Sequence, residues 1–138
     1  MEDLQAHIEK VKTFQKTFDL IVNEEPTATV PKDLYLLRYK LMREENEEYL
    51  EACEKGDLVE IADALGDKLY ILLGTIITHG LQHKIEEVFN EIQRSNMSKL
   101  DKEGNPVRRA DGKILKSDQY FKPDLRAILY KEEMNNQI

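Results

Sequence analysis

The segment 61–77 near the middle of the chain most restricts the fold that this sequence can adopt. It reads IADALGDKLYILLGTII, and on a helix it would carry apolar side chains on nearly every side. A water-soluble protein places such a helix at the centre of a bundle or in a subunit interface. Asp57 is a suitable N-cap, and Gly80 is the expected C-terminal breaker. The pattern predicts a helix that begins at Asp57, continues through Ile77 and is covered by other helices.

Apolar residues at steps of three and four predict three further helices, over residues 3–20, 32–55 and 84–94. The first should end near Asn23, before a loop that contains two prolines. The second is long, and Gly56 supplies its end. Because only a short turn separates the second helix from the central one, the two should pack as antiparallel neighbours.

The C-terminal third of the chain shows a different pattern. The turn-forming pair Asp111-Gly112 lies between VRRA and KILK, which favours a hairpin, and residues 123–135 again show helical spacing. A chain of 138 residues is long enough for one core. The sequence therefore predicts an all-α fold over residues 1–138 as a single domain. It would be an antiparallel bundle of four to five helices with a short irregular or hairpin excursion near the C-terminus.

Charge and cysteine content exclude several functional classes. The net charge of -7 disfavours binding to a nucleic acid polymer, because the phosphate backbone attracts clustered Lys and Arg. The sequence lacks the long apolar stretch of a membrane anchor, so we expect no membrane association. Cys53 is the single cysteine, which excludes an intramolecular disulfide. We expect it to be a small buried residue in a reducing, cytoplasmic setting.

Acidic side chains continue the apolar face of the second helix. Helical steps from Leu34 through Leu41 lead to Glu44 or Glu45 and then to Glu48. The face of the second helix that carries apolar core residues at its start therefore carries acidic residues further along. The other acids of this run leave that face and are interpreted as solvated charges: Glu47 and Glu51.

The central helix carries a second acidic line. Four polar side chains fall on one side of it at steps of three, four and three: Glu60, Asp63, Asp67 and Tyr70. Antiparallel packing would bring the two acidic lines face to face. Carboxylates held so close repel each other unless some bind protons or a divalent cation neutralises them. Oxygen ligands of this kind favour Mg²⁺ or Mn²⁺.

Two alternatives compete with a magnesium site. A Glu-rich run such as EENEE is commonly a solvated helix face. Acids within the apolar sequence EIADALGD are harder to explain in this way, because they lose hydration when buried and need partners. A di-iron site of the ferritin type requires Glu-x-x-His pairs, and the sequence contains none.

The ordered motifs Glu45-x-x-Glu48 and Glu60-x-x-Asp63, with LGDKLY close behind, resemble the signature of the all-alpha NTP pyrophosphohydrolase superfamily. This group includes MazG-like proteins, phosphoribosyl-ATP pyrophosphohydrolases and dimeric dUTPases. Several strings are similar to the MazG-like branch: LMREENEEYLEA, DLVEIADALGDKLYILLGT, SNMSKL, DGKILK and YFKPDL. One departure is the linker between the two acidic motifs, which is short for the family.

The resemblance implies a set of ligands for Mg²⁺, for which Mn²⁺ could substitute: Glu45, Glu48, Glu60 and Asp63. Glu44 would lie beside them. A metal-activated water would attack phosphorus, and Glu45, or else Glu44, would accept its proton. Cleavage between the α- and β-phosphates of a nucleoside triphosphate would release the monophosphate and pyrophosphate.

A net positive segment follows residue 94 in this otherwise acidic chain. Lysines on a turn-rich loop can reach phosphate oxygens, and an Asn amide can pair with a base or a ribose. The predicted substrate-binding residues here lie in family-like strings: Asn96, Lys99, Lys113 and Lys116. Arg38, one helical turn before Leu41, either points toward the phosphates or pairs with a nearby acid.

These observations favour hydrolysis of a nucleoside triphosphate, with dUTP or a noncanonical nucleotide as the expected substrate. The enzymatic alternative is hydrolysis of phosphoribosyl-ATP. The alternative outside enzymes is a noncatalytic helical dimerisation module. Because short helices would leave apolar surface uncovered, we also expect a homodimer or a higher homo-oligomer.

Overall fold

The computed structural model describes residues 1–131. Within that range, the helices are Leu4–Thr17 (α1), Lys32–Lys55 (α2), Leu58–Thr78 (α3), Ile85–Met97 (α4) and Leu125–Leu129 (α5). Val107–Arg108 (β1) and Ile114–Leu115 (β2) form a small antiparallel sheet in which Val107 pairs with Leu115. The predicted all-α class with a hairpin excursion is therefore confirmed. The predicted end of the last helix, at residue 135, lies outside the described residues.

The chain divides into two compact units, Met1–Gln82 and His83–Ile138. The first contains α1, α2 and α3, and the second contains α4, the hairpin and α5. The single domain expected from chain length stays a prediction. No helix within residues 1–131 has both the length and the apolar character needed to cross a membrane.

The connection between α2 and α3 consists of two residues. Gly56 has φ 65, the left-handed conformation that favours glycine, and its N–H donates to the carbonyl of Cys53. Asp57 then caps α3, because its Oδ1 accepts a 3.1 Å hydrogen bond from the backbone N–H of Glu60. The predicted helix end and the predicted N-cap are both confirmed, and α2 and α3 pack against each other as an antiparallel pair.

The first helix ends earlier than its apolar pattern indicates. α1 stops at Thr17, and Asp19 adopts φ 56, a left-handed conformation that cannot continue a helix. The following segment is tied to the end of α3. Asn23 donates its backbone N–H to the carbonyl of Ile77 at 3.2 Å, and Thr27 donates to the carbonyl of His79 at 2.9 Å.

The core of the first unit lies along one part of α3. Its fully buried apolar side chains come from all three helices: Ile8, Val11, Ala52, Ala64, Leu73 and Ile77. The chain by itself does not bury α3 at the centre of a bundle, since Leu65 and Leu69 are about half exposed. The other expected setting for this helix, a subunit interface, stays a prediction. Cys53 is exposed as well, so its predicted burial is wrong.

Candidate active site

The two acidic lines meet near the turn at Gly56. A cavity of about 280 Å³ opens there, and the residues that line it are Glu48, Glu51, Lys55, Glu60 and Asp63. The antiparallel packing that follows from the two-residue turn thus brings three of the four predicted metal ligands to one cavity. Glu51, which we interpreted as a charge away from the acidic face, also lines it.

Glu45 precedes Glu48 by one helical turn and is partly buried. Its Oε2 is buried and has no hydrogen-bond partner among the described residues. Burial is the main reason why the pKa of the Glu45 carboxyl rises to about 7. A hydrogen bond with Glu48 and the negative charges of Glu48, Asp67 and Asp63 contribute to this rise. Glu45 therefore holds a proton below about pH 7 when no cation is nearby.

The donor set of this site fits a hard divalent cation. Within residues 1–131, no group of three or more His, Cys, Asp or Glu side chains is already gathered into a metal site. Mg²⁺ does not require such a group, because it usually keeps several waters and takes one or two carboxylates together with substrate phosphates. A cation bound here would give the unpartnered Oε2 of Glu45 a ligand and would neutralise the negative charges around it.

Cationic side chains border the acidic residues. Lys55 donates a 3.1 Å hydrogen bond to Glu51, which raises the pKa of the Lys55 ammonium. A groove of about 430 Å³ adjoins Glu48 elsewhere on α2, lined by Lys40, Arg43, Glu44, Glu47 and Glu48. Sequence reasoning missed these three cations. Their helical spacing from the acids, such as Lys40 four residues before Glu44, is the signal that identifies them.

Arg38 lines neither of these two cavities and is only 9% exposed. Its Nη2 donates a 2.7 Å hydrogen bond to the carbonyl of Ile71, and its Nε donates a 3.0 Å bond to Thr75 Oγ1. Burial lowers the pKa of its guanidinium. The structure gives Arg38 a role in joining α2 to α3, and its predicted contact with phosphates stays a prediction.

The other predicted substrate-binding residues lie in the second unit. Asn96 is exposed on α4, and Lys99 follows that helix. Lys113 and Lys116 flank β2, and the Lys116 ammonium lies 4.7 Å from the centre of the Tyr120 ring. Ser117 Oγ donates a 2.6 Å hydrogen bond to the carbonyl of Leu100, which holds the end of the hairpin against the segment after α4. Contact of these residues with a nucleotide stays a prediction.

Comparison with known proteins identifies the family of this acidic helix pair. A family model described as phosphoribosyl-ATP pyrophosphohydrolase matches residues 11–96, which include α2, α3 and all four predicted metal ligands. The chain belongs to this family. Phosphoribosyl-ATP pyrophosphohydrolases lie within the superfamily that the acidic motifs indicated, so that resemblance is confirmed. No curated protein shows significant similarity to the chain.

Family membership establishes the class of reaction. The phosphoribosyl-ATP pyrophosphohydrolase family hydrolyses a pyrophosphate linkage, and the chain is accordingly a pyrophosphohydrolase of the nucleoside triphosphate type, acting on an acid anhydride. The prediction of an enzyme is therefore confirmed at this level.

Proposed function

We propose that the chain is a Mg²⁺-dependent hydrolase that cleaves phosphoribosyl-ATP between its α- and β-phosphates, giving phosphoribosyl-AMP and pyrophosphate. The observation that carries this proposal is the cavity shared by Glu48, Glu60 and Asp63 within the family match. The family match also favours this substrate over the dUTP that the sequence led us to expect. The string DGKILK, which favoured dUTP, lies beyond residue 96, where the match ends.

In this proposal the metal ligands are those that the sequence indicated: Glu45, Glu48, Glu60 and Asp63. When bound, Mg²⁺ or Mn²⁺ supplies charge neutralisation at the phosphates and lowers the pKa of a bound water. Glu44 lies on the wall of the neighbouring groove, beside Glu48, from where it can support the ligand set.

Glu45 is proposed as the group that accepts the proton of the attacking water. A general base needs a free acceptor atom, and Oε2 of Glu45 is buried without a hydrogen-bond partner among the described residues. Glu44, in contrast, is exposed to solvent on the groove wall. Burial beside other carboxylates therefore favours Glu45 over Glu44 as the base.

Lys40, Arg43 and Lys55 are proposed to contact the substrate's phosphate oxygens. A triphosphate carries several negative charges, and the helix pair that must receive it is rich in carboxylates. These cations are the ones that line the two cavities beside Glu48. They would reduce the repulsion between substrate and site. Substrate binding by the candidates of the second unit stays a prediction: Asn96, Lys99, Lys113 and Lys116.

The test is pyrophosphate release from a nucleotide panel with Mg²⁺ present. The panel contains phosphoribosyl-ATP, dUTP, dCTP and oxidised or methylated purine triphosphates. We expect the highest kcat/KM with phosphoribosyl-ATP and loss of activity when a chelator removes the metal. Equal activity with a chelator would contradict the magnesium requirement.

The second candidate substrate is dUTP or a noncanonical nucleotide. It is supported by the string DGKILK, which is similar to the MazG-like branch and contains strand β2 of the hairpin, Ile114–Leu115. A higher kcat/KM with dUTP than with phosphoribosyl-ATP would establish this candidate instead. Release from no member of the panel would overturn the enzymatic proposal and favour a noncatalytic dimerisation module.

A further inference from the structure

Two buried residues anchor α2 within the first unit. Of the 24 residues of this helix, only Arg38 and Ala52 are buried. Ala52 lies one helical turn before Gly56, and Arg38 lies in the first third of the helix. Glu45 and Glu48 lie between these two anchors. The position of both acids relative to α3 therefore depends on an anchor on each side of them.

The side chain of Arg38 joins α2 to α3 through two directed hydrogen bonds. Its Nη2 donates to the carbonyl of Ile71 at 2.7 Å, and its Nε donates to Thr75 Oγ1 at 3.0 Å. Thr75 Oγ1 donates in turn to the same carbonyl of Ile71 at 2.8 Å. Neither partner is a carboxylate, although a buried arginine is usually paired with one. The two bonds therefore use the fixed geometry of the guanidinium and not an ion pair.

These bonds also fix how the two helices are aligned along their length. Arg38 and Thr75 are 37 positions apart, and the midpoint of that interval falls at the two-residue connection between the helices. Lys68 and Asn46, which share a hydrogen bond across the pair, are 22 positions apart around the same connection. α2 and α3 thus run along each other without a shift from the connection as far as Arg38.

The acids between the anchors push the two helices apart. The negative charges of Asp63 and Asp67 on α3 act on the carboxyl group of Glu45 on α2. Without a cation, this repulsion favours separation of the helices. The connection holds only one end of the pair. Arg38 lies two helical turns, or about 10 Å, beyond Glu45, so its bonds oppose separation at the other end.

Gly74 provides the space that the guanidinium occupies. A Cβ at this position would lie 2.7 Å from Arg38 Nη2, so the guanidinium lies directly against the backbone of α3. A lysine could keep the positive charge there. Its ammonium is a point charge on a flexible chain and lacks the rigid fork of donors that a guanidinium presents. Lysine therefore separates the effect of charge from the effect of geometry.

We propose that Arg38 is a positioning residue for the metal site. Its bonds to Ile71 and Thr75 hold α2 against α3, so that Glu45 and Glu48 stay within reach of a cation that α3 also binds. This inference rests on the proposed function, because it takes these acids as metal ligands. In this role Arg38 acts through the helix pair and needs no contact with the substrate.

Binding of Mn²⁺ to the metal-free full chain tests the proposal without any nucleotide. Electron paramagnetic resonance measures the free ion during the titration. We expect Arg38→Lys to weaken Mn²⁺ binding by about tenfold, because lysine keeps the charge but not both bonds. Ile8→Val is the control for lost stability, since Ile8 is buried on α1. Wild-type affinity in Arg38→Lys, or equal weakening in Ile8→Val, would overturn the proposal.

Two substitutions at Thr75 test the bond even if Arg38→Lys fails to fold. Thr75→Val removes the hydroxyl group and leaves Arg38 Nε without this acceptor, whereas Thr75→Ser keeps the hydroxyl. We expect Thr75→Val to weaken Mn²⁺ binding by about threefold or more and Thr75→Ser to bind as wild type does. Equal affinity in these two variants would overturn the role of Arg38 alone. A wild type that binds no Mn²⁺ would overturn the proposed metal site together with it.

Discussion

Glu45 and Glu48 lie one helical turn apart on α2, and hydrogen bonding between their carboxyl groups adds to the larger effect of burial in raising the pKa of Glu45. Two carboxylates can share a hydrogen bond only when one of them carries a proton. The second oxygen of Glu45 is buried without a partner, so this residue gains little from water when it ionises. The pair is thus a place where a proton or a cation is required, and several predictions rest on this property.

Glu45→Gln should change how stability depends on pH. The folded pKa of Glu45, about 7, lies above its ordinary value of 4.5, so the folded state binds this proton more tightly. The resulting stabilisation is complete below the ordinary value and is lost as the pH rises through about 7. Metal-free wild type should therefore melt lower at about pH 8 than at about pH 5, and Glu45→Gln should reduce that difference by a few degrees, or about 1 kcal/mol.

Thermal melts by circular dichroism measure this effect, with and without Mg²⁺. Glu54→Gln serves as the control, because Glu54 lies on the same helix and lines neither cavity. Identical pH profiles for Glu45→Gln and wild type would show that Glu45 does not hold the proton.

Glu48→Gln and Asp63→Asn should each lower kcat/KM for pyrophosphate release by about 100-fold or more, because each removes a charge proposed to hold the metal. Both substitutions keep the side-chain size, so the helices should retain their circular dichroism. Glu54→Gln, with the same loss of charge on α2, should keep near wild-type activity. Comparable losses in all three variants would point to overall charge and not to this site.

Lys55→Gln should raise KM for the nucleotide by about tenfold and change kcat less, since it removes a cation that is proposed to contact phosphate in the bound state. Lys32→Gln is the paired control at the opposite end of α2. Steady-state kinetics at fixed Mg²⁺ separate the two parameters. A drop in kcat alone would assign Lys55 to the chemical step.

Gly74→Ala should destabilise the first unit by about 1 to 3 kcal/mol. A Cβ at this position would lie 2.7 Å from Arg38 Nη2 and would also clash with Gln15 Oε1. Gly66→Ala is a sensitive comparison on the same helix, because nothing lies within 4 Å of its added Cβ. That change should instead stabilise the helix by about 0.5 to 1 kcal/mol. Urea unfolding of both variants measures whether each substitution lowers or raises the free energy of unfolding.

The fold could be predicted where single residues impose a backbone conformation. Gly56 and Asp57 have the chemistry of a helix end and a helix cap, and both boundaries appear where expected. The end of α1 could not be predicted in this way. Its apolar spacing continues past Thr17, and the left-handed conformation of Asp19 is one that few residues other than glycine adopt.

The acidic part of the candidate site could be predicted from the sequence, because helical periodicity places its side chains on one face of α2 and one face of α3. From helical periodicity we predicted that Glu48, Glu60 and Asp63 lie close together, and the structure places all three around one cavity. The same reasoning missed Lys55, because a lysine beside a glutamate on an exposed helix has the pattern of an ordinary surface ion pair. It also left the role of Arg38 open, since that role depends on the space at Gly74 on another helix.

The connection between α2 and α3 consists of Gly56 and Asp57 alone, so it is too short to absorb a change in the relative position of the two helices. One inserted residue would have to be absorbed by turning α3 about 100° around its own axis or by unwinding a helix end. Either change would carry Glu60 and Asp63 out of alignment with Glu48. In this chain, a single residue inserted into the connection should accordingly reduce activity far more than a substitution within it.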